Sequence, residues 1–156
     1  MVYLLWTLGL VALDQGIKVW VRQTMTPQTA IELIPNLIHL TAQENRGISF
    51  SFLSSLPETY RQPALAGVSL LVILGLLVYM WRSWSDLPKI ERIGFCLIVS
   101  GALGNLIDRA FRGSVTDYMY FHYYDTSFFV NNLADDLISF GFVALLYHSF
   151  KKPHES

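Results

Sequence analysis

Between Ser100 and Asp136 the chain reads SGALGNLIDRAFRGSVTDYMYFHYYDTSFFVNNLADD, which sets five aspartates, Asp108, Asp117, Asp125, Asp135 and Asp136, among glycines, asparagines and arginines. Two carboxylates brought together at an interface cannot both ionise cheaply, so one keeps a proton while the other can deprotonate a water between them. That is the acid–base apparatus of peptide hydrolysis by aspartates. Asp117 sits in the otherwise apolar and aromatic Val-Thr-Asp-Tyr-Met, and Asp135 follows eighteen residues later, at the start of an apolar run. Residue type and spacing leave all five as candidates for the pair.

The flanking apolar runs must position these groups. Ile93 to Ile107 and Leu137 to Phe150 hold 15 and 14 uncharged or weakly polar residues, fewer than the ~20 that cross a bilayer core. Asn105, Asp108 and Arg109 at the end of one run, and Asn132, Asp135 and Asp136 at the start of the other, are therefore drawn to the membrane interface, where a charge is costly and functional by default. Gly101, Asn105 and Asp108 fall at helical spacing on one stripe, and Asn132, Asp135, Asp136 and Ser139 on another. Both stripes are expected to face protein or water.

With 53% hydrophobic and 15% charged residues, the chain is expected to be a single integral membrane domain over 1–156. The fold class is membrane all-α, with four transmembrane helices near 2–21, 63–82, 91–110 and 133–150 and a small extracytoplasmic β-sheet between helices 1 and 2. In the 22–62 loop, Ile31–Ile34, Ile38–Ala42 and Ile48–Phe52 alternate with the two-residue period of strands, separated by Pro35-Asn36 and Asn45-Arg46-Gly47. Phe50, Phe52 and Leu53 would let that sheet lie on the membrane surface. In the first span Asp14 and Lys18 are i, i+4 partners; they serve equally as a pair that lets the lysine snorkel or as a support for the site.

A net charge of −1 supplies no field for a nucleic-acid backbone, so no nucleic-acid partner is expected. Cys96 lies in an apolar segment as a buried small hydrophobe, and His39, His122, His148 and His154 lack ligand spacing, so neither metal nor cofactor is expected. Arg82, Lys89, Arg92, Lys151 and Lys152 against Arg22, Arg46, Arg61 and Arg112 favour cytoplasmic termini by five to four. An ion-coupled transporter subunit is the competing class, because intramembrane Asp and Lys also mark ion paths. The unbroken second span and the absence of an internal repeat speak against it.

GALGNLIDRAFRGSVTDYM followed by NNLADD resembles the bacterial lipoprotein signal peptidase family, signal peptidase II. Its pattern G-N-x-x-D-R, G-x-V-x-D and N-x-A-D is met by Gly104, Asn105, Asp108, Arg109, Gly113, Val115, Asp117, Asn132, Ala134 and Asp135. Earlier motifs are met by Asp14 with Lys18 and by Asn45-Arg46-Gly47-Ile48-Ser49-Phe50. Two positions depart from the pattern: Ser100 stands where a glycine is common, and Asn131 where an aromatic is frequent. The resemblance implies a membrane aspartic endopeptidase of the bacterial inner membrane, its active site at the outer face. Its implied substrates are diacylglyceryl-modified prolipoproteins, cleaved before the lipid-modified cysteine. Membrane lipids and globomycin-type inhibitors are its implied partners. It further implies Asp117 and Asp135 as the catalytic pair, with Asp14, Lys18, Asn45, Gly47, Gly101, Asn105, Asp108, Arg109, Asn132 and Ala134 supporting or lining the substrate site.

Overall fold

The computed structural model describes residues 1–47 and 57–151. Four helices run Val2–Thr24 (α1), Glu58–Ser83 (α2), Lys89–Arg112 (α3) and Leu133–Lys151 (α4). All four are long and apolar enough to cross a membrane. Each extends one to several residues beyond the apolar run that announced it. For α2 the extension is N-terminal to Pro63, where the carbonyl of Pro57 accepts the amide hydrogens of Tyr60 and Arg61.

Helix α3 is the hub, since α1, α2 and α4 all pack against it. Its approach to α4 depends on missing side chains. A Cβ at Gly101 would collide with the backbone oxygen of Ala134, and one at Gly141 would come within 2.6 Å of the carbonyl oxygen of Gly94. Such contacts are how helices associate where lipid removes the hydrophobic drive between them. Lipid-facing side chains on α2, such as Leu71 and Trp81, stay exposed. Cys96 is buried between helices.

The sheet differs from the expected one. It has four antiparallel strands in the order β1 (Ile31–Ile34), β2 (Ile38–Asn45), β3 (Val115–Tyr123) and β4 (Thr126–Asn131). Among the described residues, β1 and β2 come from the loop between α1 and α2; β3 and β4 are the aromatic connector between α3 and α4. Val115–Tyr123 is rich in β-branched and aromatic residues, and its turn at Tyr124 takes a left-handed backbone (φ 48) that closes the hairpin. The strand expected at Ile48–Phe52, and the surface role of Phe50, Phe52 and Leu53, lie outside the described residues.

Val21 and Met25 at the end of α1 pack with Tyr118 of β3, joined by Leu40 and Ala42 of β2 and Leu133 of α4. This cluster seats the sheet on one end of the helices. At that end α3 stops at Gly113, whose left-handed backbone (φ 72) lets its N–H donate to the carbonyl of Arg109. The chain then turns directly into β3.

Candidate active site

The first turn of α4 sets the geometry. A helix leaves its leading N–H groups without partners in the helix, and here three elements meet that need. The Leu133 N–H donates to the Tyr118 hydroxyl at 3.1 Å, the Ala134 N–H to Asp14 Oδ1 at 3.1 Å, and the Asp135 N–H to Asn132 Oδ1 at 3.1 Å. Asn132 is thus the residue that caps α4 and not a member of its stripe, as spacing had suggested. Its other arm, Nδ2, donates to Asp117 Oδ1 at 2.5 Å. One side chain therefore fixes both the start of α4 and the carboxylate of β3.

Asp117 is 2% exposed. Its second oxygen accepts from Asn45 Nδ2 at 2.9 Å. Asn45 is aimed by its own Oδ1, which accepts the N–H of Gly47 at 2.8 Å; the local turn requires the positive φ of 73 that Gly47 supplies. Burial pushes the Asp117 carboxyl up to about 6, against the opposing pull of Asn45 and Asn132, with the charge of Asp135 adding to the rise. Burial likewise pushes the Tyr118 phenol up to about 12, so it stays neutral.

Asp135 accepts from Asn105 Nδ2 at 2.7 Å. Asn105 faces two ways, because its Oδ1 accepts from Lys18 Nζ at 2.9 Å. Behind it lies a closed ionic cluster. Lys18 Nζ stands 2.9 Å from Asp14 Oδ2 and 3.2 Å from Asp108 Oδ2, with all three side chains at most 1% exposed. Lys18 does not snorkel. Asp108 also accepts the backbone N–H of Thr116 at 3.2 Å and pairs with Arg22 at 3.3 Å. Asp108 thus braces the junction of α3 and β3. Arg109 turns its guanidinium to the carbonyl of Asn105 at 3.5 Å.

Asp136 points elsewhere, accepting from Asn131 Nδ2 at 2.7 Å. The departure at position 131 thereby supplies a partner for Asp136, which is outside the pair that the resemblance implies. Ser100, the other departure, donates to its own helix at the Cys96 carbonyl, 2.6 Å away. Asp125 sits in the exposed turn between β3 and β4.

Sequence reasoning counted Arg22 only as a flanking charge, although it lies i+4 from Lys18 on the stripe of Asp14. It also passed over Gln15, which donates to Asp14 Oδ2 and to the Gly104 carbonyl. Helical spacing could have found Arg22; nothing in the sequence marks Gln15. A cavity of about 290 Å³ opens over Asp117, walled by Gln43, Asn45, Phe128 and Val130.

Residues 6–151 match the family model described as signal peptidase (SPase) II. A lipoprotein signal peptidase of Bartonella tribocorum is 39% identical over 153 residues, covering 97% of this chain and 88% of that protein. One of Brucella ovis is 39% identical over 142 residues, covering 90% and 84%. Among solved structures, a bacterial membrane enzyme determined by the in meso method at 1.9 Å resolution superposes with a TM-score of 0.83 at 25% identity, over 97% of this chain and 94% of that one. With four membrane-length helices, and motif residues of α1, α3, α4 and the sheet meeting in one polar junction, this multi-pass bacterial membrane protein belongs to the signal peptidase II family.

Proposed function

We propose that this chain cleaves diacylglyceryl-modified prolipoproteins on the N-terminal side of the lipid-modified cysteine, with Asp117 and Asp135 as the paired catalytic carboxylates. The observation that carries the reading is the way each is held. Asp117 and Asp135 come from different elements, are oriented by the amides of Asn45, Asn132 and Asn105, and interact electrostatically. Amide donors aim a carboxylate and bring no counter-charge that would hold both groups ionised, so the pair can hold one shared proton.

Asp117, whose carboxyl is pushed up to about 6, holds that proton and donates to the scissile carbonyl oxygen. Asp135 takes a proton from the attacking water. As the gem-diol intermediate collapses, Asp135 passes its proton to the leaving amine, the C–N bond breaks, and a diol hydroxyl returns a proton to Asp117 as the carbonyl re-forms. Both termini lie in the cytoplasm and the pair at the outer face of the inner membrane. There the lipid on the cysteine holds the scissile bond at the depth of the carboxylates and replaces a chance encounter with a fixed one. Globomycin-type cyclic peptides occupy the same cavity. Asp14, Lys18, Gly47, Gly101, Asp108, Arg109 and Ala134 act by positioning.

The test is the cleavage rate of a synthetic precursor with and without the diacylglyceryl group, using purified protein in detergent. The lipidated form should have a kcat/KM larger by about two orders of magnitude, since remote binding energy is spent on the reaction. Equal values would overturn the lipid-directed reading.

A further inference from the structure

Histidines scattered in the sequence meet on the sheet. The rings of His39 and His122 lie 4.4 Å apart, and Tyr120 stacks on His122 at 5.0 Å with an interplanar angle of 11°. His39 of β2 is directly opposite Tyr120 of β3. His39 and Tyr120, with Thr41, Gln43 and Ser127, line a groove of about 410 Å³. The intervening residues of β2, Leu40 and Ala42, pack into the cluster around Val21 of α1, so the groove occupies the sheet face turned away from that helix.

Gln43 and Val130 are walls both of this groove and of the cavity over Asp117. The groove thus starts at the proposed reaction centre and runs along β3 toward its outer turn. The two lining rings are braced by His122, which is 6% exposed, packs against both and donates from its Nδ1 to the carbonyl of Tyr124 at 2.8 Å. Polar donors and acceptors and an aromatic face line the groove. Beside it Glu32 is paired with His39 at 3.3 Å, and Glu44 and Arg46 wall the adjoining cavity.

A scissile bond has two flanks. If the chain cleaves lipidated precursors, a reading on which this inference rests, the flank before the cysteine is an apolar signal segment that belongs in hydrocarbon. The flank after it is polar chain bound for water. A polar, hydrogen-bonding groove outside the spans suits the second. We infer that the groove is a subsite for the first residues of the mature chain, held extended immediately after the modified cysteine. Asp117 to Tyr120 spans about 10 Å at about 3.3 Å per strand residue. That length accommodates roughly three extended substrate residues, the second to fourth of the mature chain. Contact is through side chains on the sheet face, so selection falls on side-chain size and polarity: small polar residues fit, and a bulky charged residue meets the Tyr120 ring.

The experiment compares two lipidated precursors, one ending in an amide directly after the modified cysteine and one carrying four further residues such as Ser-Ser-Asn-Ala. The readout is the ratio of their kcat/KM values, long over short. The wild-type ratio should be about 10, since subsite binding energy is expressed in the transition state. In Tyr120→Leu and in Thr41→Lys it should fall to about 1. A wild-type ratio near 1 overturns the subsite, as does an unchanged ratio in both variants, including the case in which both substrates slow equally. If the wild type cleaves neither precursor, the proposed function itself has failed, which is a separate result.

Discussion

Two clusters of carboxylates, one drawn from α1 and α3 and the other from β3 and α4, lie on either side of Asn105 and are held in opposite ways. Asp14 and Asp108 meet Lys18 and Arg22, so each negative charge is answered by a positive one, and Lys18 is fully enclosed. Asp117 and Asp135 are met by asparagines. Ion pairing ties a group to a counter-charge and turns it into structure. Amide pairing sets its direction and brings no counter-charge with it. Asn105 joins the two, with its oxygen on Lys18 and its nitrogen on Asp135; the ionic cluster is the rigid base on which the amide-held pair is mounted.

The comparison breaks most visibly at the pair. Asp117→Asn and Asp135→Asn should each lower turnover of a lipidated precursor by at least about 10³-fold, because shape is kept while the shared proton is lost. Asp136→Asn, whose partner is Asn131, should keep activity within a few-fold. Rates at matched membrane abundance decide this, and an inactive Asp136→Asn beside an active Asp135→Asn would reverse the assignment.

At the ionic cluster the expected loss is of stability. Lys18→Met leaves Asp14 and Asp108 facing each other without their cation, and breaking a buried pair from one side costs about 3–5 kcal/mol. Thermal unfolding in detergent should show a large fall in Tm. Adding Asp14→Asn should restore part of it, since one unanswered charge is removed while an acceptor for the Ala134 N–H remains. A double variant less stable than Lys18→Met would mean that the charges do not carry the effect.

Gly101→Ala probes the spacing between the two regions. The new methyl collides with the Ala134 backbone and must push α4 from α3 beside Asp135. Overpacking of this kind costs about 1–3 kcal/mol, and kcat should fall more than Tm would suggest. Retained kcat with lowered Tm would show that helix spacing does not set the geometry of the pair.

The smallest effect is a shift along the pH axis. Asp117 must keep its proton, so activity should fall as pH rises through the value at which it ionises, about 6 in the free protein and higher once substrate excludes water. The alkaline limb of kcat/KM reports the former and that of kcat the latter. Asn45→Ala removes a hydrogen bond that favours the ionised form, so the kcat/KM limb should move to higher pH, with a few-fold loss of rate at the optimum. A limb that moves down would mean that Asn45 serves the protonated form.

Apolar runs announced the four spans because hydrocarbon demands length and composition, which are properties of a local segment. Local composition likewise marked the polar stretch, and the resemblance of spaced motifs singled out Asp117 and Asp135 from five aspartates that physics could not rank. The sheet was half legible. β1 and β2 alternate cleanly, whereas the aromatic connector carries strand-forming residues without a clean apolar–polar period, and its pairing partner β2 lies some seventy residues earlier. Helical spacing placed Asn132, Asp135 and Asp136 on one stripe; in the tertiary structure the helix begins at Leu133 and Asn132 is its cap. The Asp14–Lys18 pair was legible from its spacing, but that Asp108 joins it and that Asp117 and Asp135 meet amides was settled only by the fold. Chain order lists the charges, but their ionisation depends on what stands within a few ångströms, and those neighbours come from helices and strands up to 120 residues apart.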